Sequence, residues 1–192
     1  RCIGDWSSDV CSSDLPQILK NFLTIIEKIF MKIILKSIKH KKIDKKILNK
    51  IVNLKIEEWD YNKKLQFKWM NAKLNDDDLH NLLIINDIIC GYTCLRVKQF
   101  TYKRVNKEIY YFDTLIIGKK FRSKIINKKK YSDILMKFNM KIINNDFSLA
   151  ILVCKKQLVK FYEKYEWTIS KSFKINKNIK YFRMLFNPKK NV

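Results

Sequence analysis

The run IYYFDTLIIG, residues 109–118, reads as a strand and leads into the basic segment KKFRSKIINKKK, residues 119–130, after which a helical pattern begins. A strand feeding a basic loop and a helix start offers unpaired backbone N–H groups and the positive end of a helix dipole to an anion, and that geometry suits phosphate. Arg122, Lys124, Lys128 and Lys129 add point charges around the loop. A solvated basic turn is the plain alternative. On the strand itself, simple alternation puts Asp113 on one face with Tyr111, Leu115 and Ile117. A carboxylate desolvated there has a raised pKa and can take up a proton, directly or through water. The competing reading is a carboxylate hydrogen-bonded near the sheet edge. Further along, Leu158, Phe161, Tyr162 and Tyr165 recur at helical spacing, which fits plain core packing.

Positioning these residues requires alternating strands and helices. KIILKSI, from Lys32, reads as a strand, and Ile43, Ile47, Leu48, Ile51 and Leu54 mark a helix with Asp44 suited to its first turn. A second amphipathic helix is expected over Lys63–Leu74, followed by the polar loop NDDDLH. There Asp76, Asp77, Asp78 and His80 either receive a cationic amine or form a solvated loop. LHNLLIINDIICGYTCLRV reads as two strands joined by a tight turn at Asn86-Asp87. A helix over Lys129–Ile143, the strand FSLAILV, the helix KQLVKFYEKY and the strands WTISKSF and KYFRMLFN complete an α/β or α+β domain without internal repeats.

Composition narrows the classes. The 192 residues suffice for one domain with a core, and the net charge of +23 would ordinarily suggest nucleic acid or a membrane surface. Gly occurs only three times and Pro twice, while Lys, Ile and Asn are abundant, a bias toward AT-rich codons that accounts for much of the lysine. The basic residues are dispersed, and no helix-turn-helix, zinc-finger or RNA-binding signature is present, so no nucleic-acid partner is expected. Asp5 to Leu15, DWSSDVCSSDL, matches one reading frame of a sequencing-library adapter and is read as an assembly artefact covering residues 1–15. Residues 16–30 are an uncertain upstream segment, with Met31 a suspected native start of a single domain over 31–192. Outside the adapter-like stretch stand Cys90, Cys94 and Cys154, with no CxxC among them, so no metal site and a reducing cytoplasmic setting are expected. The apolar stretch Phe22–Ile38 is interrupted by Glu27, Lys28, Lys32 and Lys36, so no membrane span is expected.

Two motifs together resemble the GNAT superfamily of N-acetyltransferases. That family has a phosphate loop Arg/Gln-x-x-Gly-x-Gly/Ala after a strand and, later, a helix ending Phe-Tyr-Glu-Lys-x-Gly-Phe. This chain has RSKIIN from Arg122 and FYEKYEW from Phe161, and the hairpin NDIICGYTCLRV is similar to the family's second and third strands. The resemblance covers residues 31–187. It implies a mixed, mostly antiparallel sheet of about six to seven strands with about four helices, splayed between the fourth and fifth strands. It also implies acetyl-CoA as cosubstrate, its pantetheine arm along Leu115, Ile116 and Ile117 and its pyrophosphate at Arg122, Ser123, Lys124, Ile125, Ile126, Asn127 and Lys128. Tyr162 matches the tyrosine that protonates the departing thiolate, and Asp113 is the candidate base. The partner is an amine-bearing acceptor, with Trp59, Trp69, Tyr92 and the Asp76–Asp78 loop as its candidate wall.

The family glycines fall on Ile125, Asn127 and Glu166, where a side chain reaches positive φ only at a cost. A weakened cofactor loop is therefore expected. The alternative reading is a GNAT-like domain that holds an acyl-CoA or a protein without catalysis.

Overall fold

In this computed structural model the described residues are 32–102, 105–146, 149–176 and 179–187. The adapter-like segment, residues 16–30 and Met31 lie outside them, as do Phe147 and Ser148 at the head of the expected strand FSLAILV. Strand β1 (Ile33–Lys39) is followed by helices α1 (Lys45–Ile56) and α2 (Lys63–Lys73), then strands β2 (Leu79–Ile85), β3 (Ile88–Tyr102) and β4 (Val105–Ile117). A two-residue pair, β5 (Ile125–Ile126) and β6 (Lys129–Lys130), precedes helix α3 (Tyr131–Asn145). Strand β7 (Ala150–Lys155), helix α4 (Val159–Glu163) and strands β8 (Thr168–Asn176) and β9 (Ile179–Phe186) complete the order.

Local chemistry accounts for the ends of these elements. Asp44 caps α1 by accepting the Lys46 amide at 2.6 Å, and Asn62 caps α2 through the Leu65 amide at 2.9 Å. The β2–β3 turn falls at Asn86 and Asp87, with φ of 48° and 63°, the two left-handed residues a type I′ hairpin needs. Two features depart from expectation. β3 and β4 run past Val97 and begin before Ile109, because residues 98–102 pair with 105–109 as a long ribbon whose polar composition hides it. The expected helix KQLVKFYEKY opens as a 3-10 turn, Lys156–Leu158, before the short α4.

The seven-stranded sheet has the order β1-β2-β3-β4-β7-β9-β8, antiparallel throughout except between β4 and β7. Each face carries its own core. On one, α3 and α4 cover Leu95, Phe112, Leu152, Met184 and Trp167; on the other, α1 and α2 cover Leu82, Tyr92, Cys94 and Ile116. α3 is also tied down by a buried polar knot in which Asn81 Nδ2 and the Thr93 hydroxyl donate to Asn139 Oδ1 at 2.7 and 2.8 Å. Gly91 lets α3 lie close: a Cβ there would come within 2.7 Å of Ile117 Cδ1 and 3.2 Å of Leu135 Cδ2. Among the described residues no helix is long and apolar enough to cross a membrane, and no group of His, Cys, Asp and Glu is arranged to hold a metal.

A second polar chain fastens β1 to the sheet. His40 Nδ1 lies 2.9 Å from His80 Nε2, and His80 Nδ1 lies 3.0 Å from the Tyr92 hydroxyl. Burial, reinforced by His40 and Lys55, pushes the His80 pKa down to about 3. The neutral ring is therefore the folded form. Unfolded chain takes up a proton near pH 6.5 while the folded protein does not, so this contribution is complete above pH 6.5 and is lost as pH falls toward 3. Urea titrations between pH 6 and 4.5 should show stability falling by about 1.4 kcal/mol per pH unit from this group. His80→Gln should flatten that slope; an unchanged slope would remove His80 as its source.

Candidate functional site

β4 and β7 pair at only two positions among the described residues, Tyr110 with Ala150 and Tyr111 with Ile151, supplemented by the Tyr110 amide donating to the Leu149 carbonyl at 2.9 Å. β7 pairs with β9 along its whole length on the other edge, and β4 continues without β7 from Phe112 to Ile117. The sheet opens into a wedge at the carboxyl ends of its two parallel strands, the usual place for ligands in such sheets.

What faces the wedge follows from the register. The Gly118 amide bonds the Cys90 carbonyl, so alternation turns the backbone groups of Ile116 toward β3 and those of Leu115 and Ile117 away from it. β4 also carries a bulge. The pairing shifts between Thr93 with Leu115 and Cys94 with Asp113, leaving Thr114 unpaired at φ 61°. A β-branched residue held there costs about 1–3 kcal/mol, a strain that the pairing with β3 before and after the bulge maintains.

The bulge changes which residues share a face. Tyr110, Phe112 and Leu115 pack against α3 and α4, whereas Cys94 and Ile116 pack under α1 and α2. Asp113, placed by alternation with Tyr111, Leu115 and Ile117, shares its face with Tyr111 and Ile116 instead, because the extra residue reverses the alternation beyond it. Arg96 Nη1 donates to Asp113 Oδ2 at 3.1 Å, and the Thr114 hydroxyl lies 3.3 Å from Oδ1. The Asp113 side chain keeps 22% exposure.

Past β4, the loop is not an open glycine-type turn. Ile125 and Ile126 pair with Lys130 and Lys129, and Asn127 and Lys128 make the turn at φ 49° and 62°. Ile125 sits in the strand and is 58% exposed, so positive φ is required at Asn127 and not at Ile125. Asn tolerates that conformation well. Arg122 anchors the loop: its Nε donates to the Ile117 carbonyl at 3.0 Å and its guanidinium pairs with Glu58. Lys124 lies over the Phe121 ring, while Ser123, Lys128 and Lys129 are exposed. α3 begins at Tyr131, directly after β6, with Asp133 in its first turn accepting from the Tyr165 hydroxyl at 2.5 Å.

Tyr162 stands at the apex of the wedge. Its ring centroid is 6.2 Å from that of Phe112, the residue where β4 leaves β7, and it packs edge-on against Phe161 and Trp167. Burial pushes its pKa up, with Cys154 adding to the effect, so the phenol keeps its proton at neutral pH.

The loop before β2 is occupied within the protein. Asp77 bonds Lys39 at 2.9 Å and lies 3.2 Å from Lys41, and these lysines hold its carboxyl below the usual range. Asp78 is buried and accepts the Asn75 and Val97 amides at 2.9 and 2.7 Å. Tyr92 is core, whereas Trp59 and Trp69 flank the buried Lys55. Lys55, Arg96, Thr114 and Glu58 were not singled out by sequence. Lys55 left one signal, since it falls four residues after Ile51 on the buried stripe of α1.

No protein-family model matches the chain, and no curated protein matches it in sequence. Solved structures do match the fold. An acyl-CoA N-acyltransferase from Pseudomonas aeruginosa superposes with a TM-score of 0.61 at 13% identity, covering 80% of this chain and 99% of that one. A GNAT-family acetyltransferase from Streptococcus pneumoniae gives 0.56 at 15%, covering 81% and 99%. An aminoglycoside 6′-N-acetyltransferase complexed with coenzyme A gives 0.61 at 12%, covering 81% and 97%. The chain therefore has the GNAT acetyltransferase fold, with its mixed, mostly antiparallel sheet.

Glu166, at the third family glycine position, adopts φ 66° after α4. A left-handed side chain costs about 1–2 kcal/mol, partly offset because glycine loses more entropy on folding. Glu166→Gly should therefore raise stability by about 0.5–1 kcal/mol, read as a melting point about 2 °C higher. A lower melting point would show that the Glu166 side chain contributes more than its backbone costs.

Proposed function

We propose that this protein is an acyl-CoA-dependent N-acyltransferase that moves an acetyl group from acetyl-CoA to a primary amine. The observation that carries the proposal is the wedge: β4 parts from β7 directly beside Tyr162, leaving the Leu115 backbone unpaired by β7. A pantetheine arm carries amides that can pair with such an edge. The Leu115 amide and carbonyl and the Ile117 amide are the groups that would hold it, since the Ile117 carbonyl already accepts from Arg122. The exposed hairpin, with Lys124, Lys128 and Lys129 around the start of α3, would take the pyrophosphate. The coenzyme A complex of a structural neighbour supports the same cosubstrate.

Chemistry follows from the two sides of β4. On the α1–α2 face, Asp113 would accept a proton from the acceptor ammonium, with Arg96 holding one of its oxygens. The neutral amine attacks the thioester carbon, the new C–N bond forms, and the C–S bond breaks. A backbone amide of the strand at the bulge would stabilise the oxyanion. On the other face, Tyr162 gives its proton to the departing thiolate and regains one from solvent, while the product nitrogen loses its second proton. Burial keeps the phenol protonated at neutral pH, the form from which it would donate.

Tyr162→Phe separates chemistry from binding. It should lower kcat roughly tenfold or more, with acetyl-CoA affinity and melting point near those of the parent. Unaltered kcat would exclude Tyr162 as the acid. Tight acetyl-CoA binding without transfer to any of a panel of primary amines would favour the non-catalytic acyl-CoA-binding alternative.

A further inference from the structure

Lys55 is 4% exposed, and among the described residues its ammonium makes no hydrogen bond or ion pair. Its contacts are aromatic: Nζ lies 4.2 Å from the Trp69 ring centroid and 5.9 Å from that of Trp59. Stacking offsets part of the cost of burying a charge, but an ammonium without an anion remains destabilising. Burial lowers the Lys55 pKa, and Asp113 is the strongest influence opposing that. Arg96 stands against the same indole, its guanidinium carbon 5.6 Å from the Trp69 ring. It donates to Asp113 and to the Lys73 carbonyl, yet its buried Nε has no hydrogen-bond partner and lies 4.0 Å from Asp78. Two cations on one tryptophan thus retain unused donors, beside the carboxylate proposed to receive the acceptor's proton.

We infer that this patch binds a carboxylate of the acceptor, making the substrate an amino acid or a similar amine that bears a carboxyl group. The inference rests on the acyltransferase reading of the same site. The ammonium lies against Asp113 and the carboxylate against Lys55 and the edge of Arg96. Trp59, three residues beyond α1, is 36% exposed with its ring centroid 5.9 Å from Nζ, and the proposed molecule would reach Lys55 from that side. The charge count favours a monoanion: Asp78 and Asp113 already balance part of Lys55 and Arg96, and a phosphate dianion would face both carboxylates.

Calorimetry on the full chain with glycine, β-alanine and γ-aminobutyrate against their amides tests this, with coenzyme A present and absent. At least one acid should bind about tenfold or more tighter than its amide. In Lys55→Met the two should fall within about twofold of each other, because Lys55 is gone and the remaining Arg96 is balanced by Asp113 and Asp78. The variant should fold, since an apolar side chain replaces an unpaired buried charge, and its coenzyme A affinity should be unchanged. Equal binding of acid and amide, no binding of any acid by folded protein, or a preference that survives Lys55→Met would each overturn the inference. An acid preference lost in Lys55→Met by a chain that binds no coenzyme A would support the carboxylate site and refute the acyltransferase reading.

Discussion

Among the described residues two pairs join β4 to β7, and every feature of the site depends on that contact being so short. Longer pairing would close the wedge and consume the Leu115 backbone; none would divide the sheet. The contact survives because side chains from β4, β9, α4 and the residue before β8 lock it from one face. Phe112, Tyr162, Trp167 and Phe186 stack edge-on or tilted with centroids 5.8–6.4 Å apart, and the Trp167 indole N–H points to Met140 Sδ at 3.3 Å. Aromatic pairs of this kind contribute about 0.5–1.5 kcal/mol each beyond their buried area. The tyrosine proposed as acid is therefore also part of the clamp, and both its core packing and its functional placement follow from one position.

The opposite face is organised by charge. α1 and α2 bring Lys55 and two tryptophans over Asp113 and Arg96, and the bulge at Thr114 turns Asp113 to that side while Leu115 turns to the other. A single extra residue thus puts Asp113, the proposed proton acceptor, on the face of β4 opposite Tyr162, the proposed donor. Strain at Thr114, an unpartnered Lys55 and a left-handed Glu166 all lie close to the wedge or its flanking helices, and such local costs concentrate where function competes with stability.

Most of the architecture was legible in the sequence because it rests on periodicity and on local caps. Asn86-Asp87 announced its hairpin, Asp44 its helix, and FYEKYEW the segment of α4 that carries Tyr162. The bulge was not legible, since no glycine marks Thr114 and simple alternation carried the face assignment straight through it. The β5–β6 hairpin was hidden for a related reason: RSKIIN aligned with a glycine motif, and the aligned position at Ile125 was given a strained backbone that only Asn127 and Lys128 adopt. The ribbon of residues 98–102 against 105–109 was hidden by polar residues that a solvent-exposed antiparallel pair tolerates. Lys55 was legible only as a charged residue in an apolar stripe; its two indoles come from sequence positions four and fourteen residues away, and only packing joins them to it.

The central claim is that the β4–β7 wedge is an acyl-CoA site. Hydrogen–deuterium exchange with and without desulfo-coenzyme A addresses it directly, because the amides of Leu115 and Ile117 face the wedge and are not paired with β7. Slower exchange over residues 112–117 and 122–132, with the ribbon at 98–102 unaffected, is the result the account predicts. Saturation with desulfo-coenzyme A that leaves those two segments unprotected, or protects only the α1–α2 face, would contradict it.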